Sequence, residues 1–209
     1  MTFSTLSGNR LAGAGPPPPV VNEGSSTGVT FSTLTNPDSD GINYRLASMT
    51  ANCTLVVTTE GTAQVMLISG GAGSGGSSPF GGGGAILDGS QLIPVGTHSV
   101  VIGAGAPASD TAGIGGATYI GSVVKLNTGI GGMSAGCSRA GNRPASLSLC
   151  YTSSITGNAV YYGLTKDSFS TDGAGNNVPR VNRGDGGGSG ASTAGTGTSG
   201  VAYIRWRTN

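Results

Sequence analysis

VMLISGGAGSGG, residues 65–76, is the stretch on which the reading of this chain turns. Four apolar residues run straight into a burst of glycine, and no helical periodicity surrounds them. In a strand, Val65 and Leu67 fall on one face and Met66 and Ile68 on the other. A strand apolar on both faces must be covered on both faces. The glycines that follow need either positive φ or room for backbones to approach closely.

The same punctuation recurs down the chain. GGGG starts at Gly81, GAGAP at Gly103, GIGG at Gly113 and again at Gly129, and GDGGGSGASTAGTGTSG fills residues 184–200. Glycine supplies 41 of the 209 residues and proline another 10, close to the roughly 25% at which disorder becomes a serious reading. Collagen needs glycine at every third position, and flexible linkers lack apolar punctuation. Neither pattern is present. CTLVVTT (Cys53–Thr59), AQVMLIS (63–69), HSVVIG (98–103), YIGSVVKL (119–126) and VAYIRW (201–206) are β-branched and aromatic runs of the kind disordered chains lack. The expectation is an ordered, all-β protein.

Residues 54–58 and 63–69 read as a hairpin across Glu60-Gly61-Thr62. In the last run, Val201 and Tyr203 oppose Ala202, Ile204 and Trp206. Glycine-rich segments are natural covers for such strands. They can lie flat against a sheet, or pack on one another as left-handed, three-residue-per-turn polyglycine II helices. The expected fold is therefore a glycine-rich, β-sandwich-like domain over residues 50–209, with packed polyglycine II as one of two uses of its bursts. An extended docking arm is expected over residues 1–49, stiffened by a polyproline II rod at PPPP, residues 16–19. TFSTL occurs at residues 2–6 and again at Thr30–Leu34. It is either one strand-like contact used twice or simply good strand sequence, and two copies do not make a repeat architecture.

Charge is sparse and balanced, with 10 basic and 9 acidic residues. No basic stripe is present, so no nucleic-acid partner is expected. With 9% charged residues, the surface must rely on Ser, Thr, Asn and bare backbone, which suits a protein held in a larger assembly. No run approaches the ~20 apolar residues of a membrane helix, so no membrane insertion is expected, and the first residues do not read as a secretory leader. Three cysteines cannot all pair within one chain. Cys137 and Cys150 could bridge, but free, buried thiols are the preferred reading.

Several motifs fail on their own chemistry. Asn36-Pro-Asp38-Ser-Asp40-Gly41 copies the first half of a calcium loop, but Ala47 stands where the bidentate Glu belongs, so a polar turn is expected. Arg183-Gly184-Asp185 spells an integrin-binding tripeptide and reads as a turn. No Lys follows a glycine burst as a Walker loop requires. Gly71, Gly73 and Gly76 fit GxGxxG, but no amphipathic helix follows to receive a pyrophosphate. His98 is the single histidine, with no nucleophile arrangement around it, and the nine acids do not form a convergent pair. A non-enzyme with no cofactor and no metal is expected.

The order of elements resembles the glycine-rich domain at the C-terminal ends of bacteriophage tail-fibre and other virion proteins. In that family a strand ends in polyglycine, "VxVGAGG" follows, and a glycine tract leads to "GxxGVVIxRY". The matching phrases are Val100-Val101-Ile102-Gly103-Ala104-Gly105 and Gly200-Val201-Ala202-Tyr203-Ile204-Arg205-Trp206, and the likeness covers roughly residues 50–209. The tip adhesins of T-even-type phages, with their stacked polyglycine helices, are more distantly similar. This chain departs from both groups in its shorter bursts and its long, glycine-poor middle, residues 132–183. The resemblance implies a virion protein on a phage tail or capsid surface, assembled in the host cytoplasm. It also implies a homotrimer bound through its arm to other virion proteins, with a bacterial surface glycan or outer-membrane protein as receptor.

The rival readings are a capsid decoration or tail connector without receptor contact, and a polyglycine-type ice-binding protein. The last needs regular Gly-x-x triplets, which this chain lacks. For receptor contact the candidates are Phe80, Arg139, Asn142, Arg143, Tyr151, Asn158, Tyr161, Tyr162 and Phe169, aromatic faces interspersed with amides and guanidinium groups. The competing reading places Tyr151, Tyr161 and Tyr162 in strands that fill the core. Tyr161 and Tyr162 cannot both face the same core.

Overall fold

The computed structural model describes residues 17–73, 82–107, 113–126, 151–163, 182–186 and 196–208. Within them the chain forms strands and no helix. In order these are β1 (Val20–Val21), β2 (Thr30–Leu34), β3 (Tyr44–Met49), β4 (Cys53–Thr59), β5 (Gly61–Ile68) and β6 (Ile86–Ile93). They continue with β7 (Gly96–Val101), β8 (Thr118–Ile120), β9 (Val124–Leu126), β10 (Tyr151–Ser153), β11 (Val160–Tyr162) and β12 (Val201–Arg207). The first sheet runs β1-β4-β7-β8-β9 and the second β2-β3-β12-β5-β6. β10 and β11 form a separate pair, and every pairing is antiparallel. The all-β expectation holds.

The period of two builds the core. Leu55 and Val57 of β4, Val100 of β7 and Ile120 of β8 meet Ala63, Val65 and Leu67 of β5 and Ala202, Ile204 and Trp206 of β12 between the sheets. The alternate residues of the same two strands, Met66, Ile68 and Val201, turn to the outer face of the second sheet. There they pack with Leu46, Ile155 and Tyr162. The two-faced burial expected of β5 and β12 is what the structure has. Each large side chain so buried contributes on the order of 1.5–3 kcal/mol. The outer cover is the β10–β11 hairpin, not glycine, because Ile155 and Tyr162 fill volume that bare backbone cannot.

Two expectations are corrected. Residues 54–58 and 63–69 do not form a hairpin: β4 pairs with β1 and β7 in the first sheet, whereas β5 pairs with β12 and β6 in the second. Glu60 carries the chain between sheets, and Gly61 lies against the backbone of residues 17–19. A Cβ on Gly61 would sit 2.2 Å from the Pro18 carbonyl carbon, and the Thr62 N–H donates to the Pro17 carbonyl at 2.9 Å. The arm expected over residues 1–49 is also too long. β1 belongs to the first sheet and β2 and β3 to the second, with Ala47 and Met49 fully buried. An Arg45–Glu23 ion pair, bidentate and partly exposed, fastens β3 to the turn after β1. The first copy of TFSTL lies outside the described residues; the second is β2 itself.

At the end of the sandwich opposite residues 17–19, the chain runs on beyond β5 and β7 and enters β6, β8 and β12 as extended glycine segments. Their hydrogen bonds rotate around the central one. Ser69 and Ala72 donate to Ala85 and Gly82, at 3.0 and 2.9 Å. Gly70 and Gly73 donate to Gly116 and Gly113, at 2.9 and 3.2 Å, and Gly71 donates to Thr198 at 2.9 Å. Donors three residues apart reach the same neighbour, as a three-residue turn dictates. The remaining sides are closed by contact: a Cβ on Gly70 would lie 1.9 Å from the Ala104 oxygen, and one on Gly71 2.0 Å from the Asp185 oxygen. Neither glycine has positive φ. Of the two uses open to the bursts, packing on one another is the one adopted here.

Candidate functional site: the hairpin over the second sheet

The candidate recognition residues within the described chain cluster on the β10–β11 hairpin. Its register pairs Tyr151 with Tyr162, Thr152 with Tyr161 and Ser153 with Val160. Alternation sends Tyr151, Ser153 and Tyr162 toward the sheet and leaves Thr152, Ser154, Asn158 and Ala159 exposed.

Asp88, on the edge strand β6, gathers the hairpin. Its Oδ2 accepts from the Tyr151 hydroxyl and the Ser153 hydroxyl, each at 2.8 Å, and its Oδ1 accepts from the Gln64 amide at 2.9 Å. Burial, reinforced by the Asp88 carboxylate, pushes the Tyr151 phenol up to about 12. Across the sheet, Arg205 does the corresponding work. Its guanidinium lies over the Tyr44 ring at 4.7 Å, pairs with Asp38 at 3.0 Å and donates to the Ser154 carbonyl at 3.4 Å. At the hairpin turn, Gly157 rests against Leu34 and Pro37. The hairpin is thus tied across the face from β6 to the β2–β3 loop.

That loop is the stretch that copied half a calcium site. Asp38 is engaged by Arg205, and Asp40 accepts from the Ile42 N–H and the Tyr44 hydroxyl. The Gly41 N–H donates to Asn36 Oδ1 at 2.7 Å. The polar turn is what forms.

Tyr162 is a correction. It is 1% exposed, packs edge-on against Tyr203 and has Arg183 above its ring, so it fills the outer cluster and is closed to a receptor. Its burial also raises its phenol well above the ordinary tyrosine value. Tyr151 is half-buried with its hydroxyl committed to Asp88. Asn158 is exposed at the turn. For Tyr161 only the backbone is described. Phe80, Arg139, Asn142, Arg143 and Phe169 lie outside the described residues, as do Cys137 and Cys150. Asp88, Asp38 and Arg205 were missed as organising residues, because no spacing links partners 24 to 167 positions apart.

The other motifs are structural. Arg183-Gly184-Asp185 is a segment of the glycine bundle: Gly184 has φ +66, Asp185 is 3% exposed, and the Asp185 N–H donates to the Thr198 hydroxyl. His98, buried in β7, donates from Nε2 to the Pro94 carbonyl at 2.9 Å and braces the turn between β6 and β7. Cys53 is a half-buried free thiol, and burial pushes it up to about 11. What the hairpin offers a partner is small and polar, the Thr152 and Ser154 hydroxyls and the Asn158 amide. These are groups suited to sugar hydroxyls or backbone amides and not to acid–base chemistry. Comparison with protein families, with curated proteins and with solved structures finds no match for this chain.

Proposed function

We propose that this protein is a bacteriophage virion component, a tail-fibre or tail-tip part that contributes to attachment at the bacterial surface and has no enzymatic role. The observation that carries the reading is the polarity of the body. Pro17, Pro18 and Pro19 lie at the Gly61 end of β5, and the backbone-packed glycine bundle extends from the Ile68 end. Such a body can be held at one end by other virion proteins and present the other, with its hairpin flank, to a surface glycan or outer-membrane protein. The phrases shared with phage glycine-rich domains support the same assignment.

A capsid decoration or tail connector is the second reading. It is favoured by the internal use of Tyr151 and Tyr162, aromatic residues that an adhesive surface would display. Labelled protein applied to host cells separates the two. Saturable binding together with competition against infection supports attachment, and neither effect on cells that the phage infects supports the decoration or connector role.

A further inference from the structure

We propose that residues 2–6 of this chain seat on the open edge of β6 as a sixth strand of the second sheet. The inference stands apart from the virion reading. Among the described residues β6 pairs only with β5, in a register that runs unbroken from Gly61↔Ile93 to Ile68↔Ile86. Its eight residues, ILDGSQLI, contain no Pro, no Lys and no bulge, devices that commonly blunt an edge, and their one charge, Asp88, is taken up by Gln64, Tyr151 and Ser153. Among the described residues no further backbone hydrogen bond reaches it. Leu92 is 57% exposed, and a Cβ on Gly89 would meet nothing within 4 Å.

The occupant is suggested by the opposite edge of the same sheet. β2 is TFSTL, with Phe31 packed on the core between the sheets and Leu34 on the outer cluster. Residues 2–6 repeat that pentapeptide without a change. Seated on β6 with the same facing, Phe3 falls opposite Gly89 on the inner face, where an aromatic cross-strand neighbour covers a bare edge glycine. Leu6 then falls on the outer face beside Ile86 if the added strand runs antiparallel, or beside Leu92 if it runs parallel. Either way an apolar side chain covers an apolar one.

The chain delivers this segment to the right place. Pro17 is bonded to Thr62, whose cross-strand partner is Leu92 of β6. Residues 7–16 can span roughly 33 Å when extended, against about 26 Å for the length of β6. Both strand directions are within reach of the same molecule.

Hydrogen exchange on the full-length protein tests this, comparing wild type with the Phe3→Asp, Leu6→Asp double variant. The expected result is that the outward amides of residues 86–93 exchange at least tenfold faster in the variant. Those of β5 and β12 should be unchanged, and both proteins should have one oligomeric state. Ser4→Pro, which removes an N–H without adding charge, should give the same loss at β6. Equal exchange at β6 in wild type and variants overturns the proposal. So does a wild-type assembly that the double variant dissociates, because the strand would then be seated on a neighbouring molecule.

Discussion

Tyr162 of β11 meets Tyr203 of β12 edge to face, with ring centroids 6.2 Å apart and planes at 66°. This contact joins the covering hairpin to the middle strand of the second sheet. Truncating a buried ring leaves a cavity as well as losing its transfer energy, so Tyr162→Ala should cost roughly 3–5 kcal/mol. Asn158→Ala, at the exposed turn of the same hairpin, should stay within about 0.5 kcal/mol. Urea unfolding of the two variants checks the contrast.

Glycines in this protein divide by what surrounds them. Gly70→Ala drives a methyl into the Ala104 carbonyl and should cost at least about 3 kcal/mol, since backbone cannot step aside as a side chain does. Gly24 has no positive φ and meets nothing closer than the Asn22 Oδ1 at 3.7 Å. Gly24→Ala should therefore be neutral or stabilise by up to about 1 kcal/mol, through the unfolded chain. Thermal unfolding of the pair measures both.

Alkaline pH should loosen the hairpin. The Tyr151 phenol is raised from 10.0 to about 12 in the folded protein by burial and by Asp88. Above pH 10 the unfolded chain releases this proton while the folded one keeps it. The stabilisation is complete below that pH and is lost as pH climbs toward 12. Unfolding midpoints at pH 9, 10 and 11 should fall, and Tyr151→Phe should flatten part of the fall. Tyr162, raised in the same direction by burial, contributes to the same fall.

Asp38→Asn leaves the Arg205 guanidinium, whose side chain is 10% exposed, without its counter-charge. Asp38 is itself 32% exposed, so solvent offsets part of the loss and a cost of about 1–3 kcal/mol is expected. Arg205→Met keeps packing over Tyr44 and should be better tolerated than Arg205→Ala. Chemical denaturation of the three variants orders them.

Cys53 should react slowly with thiol reagents at pH 8. Its thiol is pushed up to about 11 by burial, and the thiolate is the reactive form. Labelling followed by mass spectrometry of the Cys53 peptide, native against urea-unfolded, should show a rate difference of tenfold or more.

The strands were legible where periodicity had only one solution. β5 and β12 carry Ala63, Val65, Leu67, Ala202, Ile204 and Trp206 toward the core between the sheets and Met66, Ile68 and Val201 toward the outer cluster, so the structure uses both faces as the pattern requires. Pairing was not legible. β4 and β5 are separated by one residue and read as a hairpin, but each takes its partners from elsewhere in the chain, long-range pairings without a local signal. The arm was overextended because β1 and β2 are short edge strands of two and five residues, set among turn residues, that look like linker until β3 is seen to pair beside β12. On the hairpin, alternation already required Tyr161 and Tyr162 to face opposite ways. It could not say which one met Met66 and Ile68, since that depends on how the hairpin sits on the sheet.

The glycine bundle has a chemical consequence as well as a mechanical one. Residues 69–73, 82–85, 103–107 and 113–117 contain no thiol, thioether, side-chain amide or aromatic ring. Oxidants and slow deamidation, which age most proteins through those groups, find no target in these rods. The bundle would keep its original covalent state wherever damaged protein is not replaced.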